Sequence, residues 1–315
     1  ADWVCSKAGR ATLRRNGGFW RQASLVLALL WGGWTYALDP GKAFHQYMHD
    51  AWSVDQGLPQ NTVQCIVQTA DGYLWIGTQE GVVRFDGLKF KVFDRSNTKA
   101  LRRNNVQALC AGRDGCLWVG LEGGGLVRLK DGQWTGYSKS EGLPGELVHA
   151  LWEDPEGGLW VGTYGAGLGL LREGRWTRYG LSDGLPDLNI RAIEGDPSGG
   201  VWVGTEGGGL VRIVGSRFQT LTARDGLCGD DVKALCRDPR GTLWVATDGG
   251  GVCSLAGGRW TSYGKRDGLS DLRVFSLCAD RFGTVWAGTE GGGLNRIPPG
   301  RWDSWKAPEG LTDGL

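Results

Sequence analysis

Short apolar segments alternate with glycine-rich turns along most of the chain, and this pattern recurs every 42 or 43 residues. Each repeat contains a segment such as LWVGT (159–163) and a following turn such as EGGGL (206–210). One tryptophan marks the segment in each repeat: Trp75, Trp118, Trp160, Trp202, Trp244 and Trp286. Repeats of about 40–45 residues made of four short strands are typical of β-propeller blades. The pattern therefore predicts an all-β propeller with six four-stranded blades.

Each repeat divides into four predicted strands, which we call a to d. Strand b is the tryptophan segment, and strand a is VQCIVQ (63–68), VHALWE (148–153) or VKALCR (232–237). Strand c is LVRL (126–129) or LVRI (210–213), and strand d is QWTGY (133–137), RWTRY (175–179) or RWTSY (259–263). Asp-Gly and Glu-Gly pairs at 131–132 and 173–174 predict tight hairpins between c and d.

An aspartate opens the turn between strands a and b in four repeats. Its carboxylate is expected to accept hydrogen bonds from backbone N–H groups of the turn. Because the group recurs at equivalent positions, we interpret it as structural rather than catalytic. The residues are Asp154, Asp196, Asp238 and Asp280.

Glycine and tryptophan occur in unusual numbers, 56 and 17 among 315 residues. Long helices are disfavoured because each interior glycine costs about 1 kcal/mol relative to alanine. We interpret the repeated tryptophans as packing between blades, since a buried indole removes a large apolar area from water. The 35 basic and 34 acidic side chains give a net charge of +1, without the strongly basic face that nucleic-acid binding needs.

Residues 1–37 have the order of a secretory signal peptide. A basic region with five Lys and Arg residues precedes an apolar run at 23–34, and Ala37 ends a small-residue cleavage motif. The apolar run is shorter than the ~18 residues expected of a spanning helix, although an uncleaved membrane anchor is the alternative. We therefore predict export, processing after residue 37 and a periplasmic propeller domain at 38–315.

Seven of the eight cysteines follow the predicted cleavage site, in a compartment that permits disulfides. Cys110, Cys236 and Cys278 occupy the same strand-a position in three blades. Stacked sheets lie about 10 Å apart, beyond the ~7 Å Cα separation that a disulfide spans. These three residues are therefore predicted to be small buried apolar side chains.

The segment at 44–52 precedes the first repeat at the position where every other repeat has strand d. It therefore resembles a fourth strand whose strands a, b and c are missing. Propellers often close by completing one blade from both chain ends. We expect the six blades to be part of a seven-bladed ring, truncated at its C-terminal end, in which a further repeat supplies the missing strands.

The segments DQGLPQNTV (55–63) and LWIGTQEGVVRFDG (74–87) resemble the two-component regulator propeller family. Members form the periplasmic sensor region of hybrid histidine kinases and some diguanylate cyclases. The resemblance implies an extracytoplasmic ligand-sensing propeller that is the input region of a membrane signalling protein and is not itself catalytic. A kinase or cyclase output domain, and the inner-membrane anchor of the full-length protein, would lie outside this segment.

Differences between the repeats indicate where a ligand binds. The residue after strand b is mostly acidic and is predicted to form a ring on the face of the b–c and d–a loops. The ring could bind a cation or ligand hydroxyls, or it could be a set of solvated turn acids. The basic loop at 99–105 replaces the usual Asp-Gly-Leu-Pro and could bind an anionic ligand such as an acidic sugar, or be an ordinary surface loop. The candidate ligand-binding residues are Arg102, Arg103, Glu122, Tyr164, Glu206, Asp248 and Glu290.

Two other classes of function remain open from the residues alone. A carbohydrate-active enzyme, a lyase or glycosidase, would need a cluster of non-repeating polar residues, for which His149 and Tyr164 are the candidates. A protein-interaction scaffold would need an exposed apolar patch on its rim. The favoured partner is a small molecule or oligosaccharide, with dimerisation with a second sensor chain as a further possibility. No cofactor, catalytic residue or metal site is predicted.

Overall fold

The structure is a computed structural model that describes residues 46, 50–297 and 303–305. Its strands form six antiparallel four-stranded sheets, in agreement with the predicted six blades. Blades 1 to 3 comprise β1 (Val63–Gln68), β2 (Leu74–Thr78), β3 (Gly81–Phe85), β4 (Phe90–Phe93), β5 (Val106–Ala111), β6 (Leu117–Leu121), β7 (Gly125–Lys130), β8 (Gln133–Tyr137), β9 (Val148–Glu153), β10 (Leu159–Thr163), β11 (Leu168–Arg172) and β12 (Arg175–Tyr179). Blades 4 to 6 comprise β13 (Ile190–Asp196), β14 (Gly200–Thr205), β15 (Leu210–Val214), β16 (Arg217–Leu221), β17 (Val232–Arg237), β18 (Leu243–Thr247), β19 (Gly251–Ala256), β20 (Arg259–Tyr263), β21 (Val274–Ala279), β22 (Val285–Thr289), β23 (Gly293–Ile297) and β24 (Asp303–Trp305).

The strands a of consecutive blades contact each other, from β1 and β5 through to β17 and β21. They therefore line the centre of the propeller, and strands b, c and d follow outward in order. The predicted signal peptide and most of the predicted strand at 44–52 lie outside the described residues.

The c–d hairpins have the tight turns that the Asp-Gly and Glu-Gly pairs predict. In blade 2, Lys130 pairs with Gln133 across a two-residue loop. Both loop residues have left-handed backbone, with φ of 51° at Asp131 and 76° at Gly132. Blade 3 repeats this geometry at 173–174. Positive φ at both positions is characteristic of the type I′ turn, whose twist matches that of the flanking strands.

The repeated aspartates also have their predicted structural role. Asp238 Oδ1 accepts hydrogen bonds from the backbone N–H groups of Arg240 (2.9 Å) and Thr242 (3.0 Å). Its second carboxylate oxygen accepts one from the indole N–H of Trp244 at 3.2 Å. Asp238 and Trp244 are both buried. One carboxylate therefore joins the a–b turn to the tryptophan of strand b.

Neighbouring blades interlock through a β-branched residue and a glycine. Val232, the first residue of β17, packs against Gly204 in β14 of the preceding blade. A Cβ atom on Gly204 would lie 2.5 Å from Val232 Cγ1, which leaves no room for a larger side chain. The same contact joins Gly77 to Val106, Gly120 to Val148 and Gly162 to Ile190. Each glycine therefore forms a notch for the next blade.

This interlocking is absent between blades 6 and 1. β21 and β1 do not share the close packing that joins the other strands a. Val63 is 39% exposed, whereas its counterparts in the other blades are fully buried, and Ile66 and Phe275 are also exposed. The ring of described blades is therefore open at this point. That a further blade completes the ring stays a prediction.

The exposure of one cysteine at the open edge differs from the predicted burial of the three strand-a cysteines. Cys236 is buried and Cys110 is partly buried, but Cys278 is exposed. Cys278 lies on β21, which no following blade covers among the described residues. The prediction of a buried apolar role is therefore wrong for Cys278, because it assumed that every strand a lies between two blades.

Candidate ligand site at the mouth of the central channel

Every strand a contains a β-bulge one residue after its first position. In blade 4, Ile190 pairs with Thr205 and Ala192 pairs with Gly204, so Arg191 has no partner in β14. A bulge re-aims the side chain of its extra residue, and bulges are often found beside active sites. The six bulge residues form what we call the bulge ring: Gln64, Gln107, His149, Arg191, Lys233 and Phe275.

The bulge ring contacts the residues that follow strand b, which lie on the face of the b–c and d–a loops. Gln107 Nε2 donates to Glu122 Oε2 at 3.0 Å. Arg191 Nη2 donates to Glu206 Oε1 at 3.0 Å. The two sets of residues therefore meet where the central channel opens onto this face, and we call the assembly the channel mouth.

Four side chains form a compact group where blades 3 and 4 meet at the channel mouth. The rings of His149 and Tyr164 are stacked, with centroids 5.6 Å apart. The guanidinium of Arg191 lies 4.9 Å from the centre of the Tyr164 ring and 3.0 Å from His149 Nδ1. Arg191 also binds Glu206. An exposed aromatic ring therefore stands beside an imidazole, a guanidinium and a carboxylate.

The ionisable groups of this cluster shift each other's protonation. Burial, and next the positive charge of Arg191, lower the pKa of His149. Burial acts to raise the pKa of Glu206, but the hydrogen bond and charge of Arg191 and the charge of Lys233 outweigh it, so this pKa is lowered. At neutral pH the cluster therefore contains a neutral imidazole, a carboxylate and a guanidinium.

Blade 5 contributes a second charged group. Lys233 Nζ lies 2.9 Å from Asp231, 3.5 Å from Asp248 and 3.8 Å from Glu206. Three atoms of the channel mouth are buried without a hydrogen-bond partner among the described residues, namely Arg191 Nε, Glu206 Oε2 and Asp231 Oδ1. Buried polar groups are rarely left unpaired, so these three atoms have capacity for a ligand or water.

A shallow cleft lies beside the channel mouth, between blades 1 and 2. Its volume is about 420 Å³, and its lining includes Arg95, Arg103, Asn105 and Glu122. Glu122 Oε2 accepts hydrogen bonds from Asn105 Nδ2 at 2.5 Å and from Gln107 of the bulge ring. Glu122 therefore connects the cleft to the channel mouth.

The structure brings together most of the predicted site residues. Glu122, Tyr164, Glu206 and Asp248 lie around the channel mouth, and Arg103 lines the adjoining cleft, whereas Arg102 is exposed and does not line it. Glu290 pairs with Arg273 at the exposed end of the series. Arg191, Lys233 and Arg273 pair with three carboxylates of the predicted acidic ring, those of Glu206, Asp248 and Glu290, which reduces its net negative charge.

Apart from His149, the residues of the bulge ring were not among the candidates that the sequence analysis named. The strand-a position after the first Val or Ile is occupied by Gln, Gln, His, Arg, Lys and Phe, so it varies more than its neighbours. That variation is the signal from which the position could have been found.

Removing the charge of Arg191 tests the electrostatics of the cluster. We expect Arg191→Met to raise the pKa of His149, because one of the two causes that lower it is the Arg191 charge. Titration of the imidazole protons by NMR measures the change directly. Arg224→Met removes an equal charge from an exposed loop and is expected to leave the His149 titration unchanged. Equal shifts in both variants would contradict the local interaction.

Six four-stranded blades around a central channel make this protein a β-propeller. The family model described as two component regulator propeller matches six segments, at residues 57–80, 100–123, 142–165, 184–207, 226–249 and 268–291. The six repeats of the chain therefore belong to the two component regulator propeller family. No curated protein is significantly similar to the chain in sequence.

Solved structures of similar fold include extracellular domains of signalling systems and lyases. The extracellular domain of a putative hybrid two component system from B. thetaiotaomicron has a TM-score of 0.73 and 21% identity, and the match covers 84% of this chain and 38% of that one. The extracellular domain of a putative one component system from B. thetaiotaomicron gives 0.66 and 20%, over 80% and 37%. A virginiamycin B lyase from Staphylococcus aureus gives 0.61 and 17%, over 77% and 83%. The chain thus spans under two-fifths of the two sensor-type structures, and identities this low establish the fold alone.

Two further observations concern the described residues. They contain no group of three or more His, Cys, Asp or Glu side chains placed to hold a metal ion. Within the same part of the chain, no helix has the length and apolar character needed to cross a membrane.

Proposed function

We propose that this propeller is the extracytoplasmic ligand-sensing input region of a membrane signalling protein, and that it binds its ligand at the channel mouth. The output domain of such a protein, of histidine kinase or diguanylate cyclase type, lies outside this segment. The family of the six repeats supports the class. Two of the structurally similar proteins are extracellular domains of putative one and two component systems, which favours a periplasmic location.

The observation that carries the proposal is the contrast between the bulge ring and the rest of each repeat. The blades repeat their turns, notches and tryptophans, yet the six members of the ring present five kinds of side chain at one place. Three buried polar atoms of the channel mouth lack partners among the described residues. Because buried polar groups are usually paired, these atoms have capacity for a ligand or for water.

The chemistry of the channel mouth suits a small hydroxylated molecule or an oligosaccharide. Tyr164 offers an exposed aromatic face, and Glu206, Asp231 and Asp248 offer carboxylate oxygens that accept hydrogen bonds from hydroxyl groups. Arg103 in the adjoining cleft adds a positive charge for an acidic group. An acidic oligosaccharide would use both parts of the site.

Binding of defined oligosaccharides tests the proposal. The probes are maltotriose, as a neutral sugar, and trigalacturonate, as an acidic one, followed by calorimetry. We expect at least one probe to bind, and Tyr164→Ala to weaken its binding at least tenfold through loss of the aromatic contact. Arg103→Ala is expected to weaken trigalacturonate more than maltotriose.

The matched control for these variants is Glu156→Gln. Glu156 is exposed and lies on the a–b turn of blade 3, at the opposite face of the propeller. It should leave both the affinity and the melting temperature unchanged. A probe that binds wild type and Tyr164→Ala equally, but loses affinity in Glu156→Gln, would place the ligand on the other face. If neither maltotriose nor trigalacturonate binds, the result would contradict an oligosaccharide as the ligand class.

A lyase is the second candidate function, and the proximity of His149 to Tyr164 favours it. A neutral imidazole can accept a proton, and a lyase from S. aureus shares the fold. Mass spectrometry of the probe after the binding experiment separates the two functions. An unchanged probe supports sensing, whereas cleavage that Tyr164→Ala abolishes would support the enzyme.

A further inference from the structure

We propose that Cys228 and Cys253 form a disulfide bond that fastens the rim loop before blade 5 to strand β19. Cys228 lies in the d–a loop, directly after Gly226 and Leu227, and Cys253 is the third residue of β19. The bond would fix the loop that carries Asp231, a neighbour of Lys233 at the channel mouth.

The two cysteines are already in contact. The backbone N–H of Cys228 donates to Cys253 Sγ at 3.4 Å. The Cys228 thiol also accepts a hydrogen bond from Thr247 Oγ1 at 3.7 Å. Cys253 is fully buried, and Cys228 is half-buried. The short contact makes bond formation a local rearrangement, which ends with the sulfur atoms at about 2.05 Å.

The two equivalent positions are in contact in other blades as well. In blade 3 they hold Pro144 and Gly169, which pack against each other. In blade 6 they hold Ser270 and Asn295, and the Ser270 N–H donates to Asn295 Oδ1 at 2.9 Å, while Asn295 Nδ2 donates to Ser270 Oγ at 2.8 Å. In the remaining blades the two positions hold Pro59 and Val83, Arg102 and Val127, or Pro186 and Val211. Blade 5 is the one described blade with two thiols at these positions, where the side chains of blades 3 and 6 are in contact.

The environment of Cys228 favours it as the thiol that first reacts with an oxidant. Hydrogen bonds from Cys253 and Thr247 lower the pKa of the Cys228 thiol, so it is the partner that more readily forms a thiolate, the form that attacks disulfides. Its half-buried position also leaves it more accessible than Cys253. These features add to the contact between the two cysteines, on which the proposal rests.

The reaction needs a disulfide-containing oxidant, such as oxidised glutathione or a thiol oxidase of the exported compartment. The Cys228 thiolate attacks one sulfur of the oxidant, whose S–S bond breaks and releases one thiolate. Cys253 then loses its proton and attacks Cys228 Sγ, which releases the second thiolate. Two thiols are oxidised to one disulfide, and the oxidant takes up two electrons and two protons to become two thiols.

Peptide mapping of the full chain tests the bond without reference to its cellular location. The protein is equilibrated with oxidised glutathione, alkylated and digested with trypsin. Cleavage after Arg224, Lys233, Arg240 and Arg259 places the two cysteines in separate peptides, 225–233 and 241–259. We expect these peptides to be recovered as one linked species that reduction separates. Recovery of both as alkylated single peptides, or a link from Cys228 to another cysteine, would overturn the proposal.

A double variant, C228P/C253V, provides the matched control because it recreates the Pro186 and Val211 pair of blade 4. Closing a loop of about 25 residues should raise the melting temperature of the oxidised wild type by about 5–10 °C over its reduced form. The double variant should show no dependence on reductant, and Cys278→Ala should behave as wild type. An equal response in the double variant would assign the effect to other thiols and contradict the proposal.

Because oxidised glutathione is supplied in solution, this result is independent of export and of any ligand. Failure of the sugars to bind would therefore leave the disulfide intact, and failure of the disulfide would leave the binding experiment interpretable.

Discussion

Gly204→Val is expected to lower the free energy of unfolding by about 3 kcal/mol, the upper range for overpacking a core. The added Cβ would lie 2.5 Å from Val232 Cγ1 and 3.4 Å from Ala192 Cβ. Val232 is fully buried, so it cannot move away without separating blades 4 and 5. The midpoint and slope of urea unfolding measure the change.

Gly288→Val is the matched control, because Gly288 occupies the same strand-b position in blade 6. There the added Cβ meets Ser276 Oγ of the same blade, with no Val or Ile of a following blade against it. Ser276 is exposed and can change rotamer. We expect Gly288→Val to lower the free energy of unfolding much less than Gly204→Val does. Equal decreases in the two variants would show that the contact between blades is not the cause of the destabilisation.

Asp238→Ala is expected to cost about 3 kcal/mol, because it leaves three donors without their acceptor. Those donors are the N–H groups of Arg240 and Thr242 and the indole of Trp244. A buried donor left unsatisfied costs about 1–3 kcal/mol. Thermal and urea unfolding measure the loss, and fluorescence of the tryptophans follows it.

Asp238→Thr separates the indole contact from the backbone contacts. In blade 1 the equivalent residue is Thr69, whose Oγ1 accepts the Trp75 indole hydrogen bond at 3.1 Å. The threonine variant should keep the hydrogen bond to the indole and lose those to the turn. Its free energy of unfolding should therefore decrease by about half as much as that of the alanine variant. Equal losses would mean that the indole hydrogen bond contributes little.

The parts of the fold that follow from local chemistry could be predicted from the sequence. The strands a at 63–68, 148–153 and 232–237 have the predicted bounds, since the spacing of tryptophans and glycines defines one repeat. The Asp131-Gly132 turn required only that two adjacent residues tolerate left-handed backbone. Features of this kind depend on residues that are neighbours in the sequence, so they can be predicted from the sequence alone.

The short helical turns were not predicted. The loops before blades 1, 3, 4, 5 and 6 contain single 3₁₀ turns, at Val54–Gln56, Lys139–Glu141, Leu181–Asp183, Ala223–Asp225 and Lys265–Asp267. Ser138 and Glu141 form a capping box at one of them, and a polar pair three residues apart is its sequence signature. The sequence analysis characterised this loop by the Gly-Leu-Pro motif that follows the pair, and it assigned no helical turn there.

The channel mouth could be predicted only in part because its contacts join residues one repeat apart. Arg191 and His149 are 42 residues apart and belong to different blades. The acidic positions after strand b were visible as a series, but two of their cationic partners, Arg191 and Lys233, lie at bulges, where the simple alternation of strand residues fails. A bulge changes the face of the sheet on which the following side chains lie. No local sequence pattern predicts the position of the bulge.

The open edge has a consequence for molecules that meet in solution. Blade 1 presents Val63 without a notch to receive it, and blade 6 presents Gly288 without a branched side chain to occupy it. Among the described residues, each edge therefore offers one half of the interlock that joins the inner blades. A contact between the blade 1 edge of one molecule and the blade 6 edge of another would be heterologous, and would extend as an open chain unless its rotation closed a ring. Where these edges are left uncovered, we expect such association to increase with protein concentration.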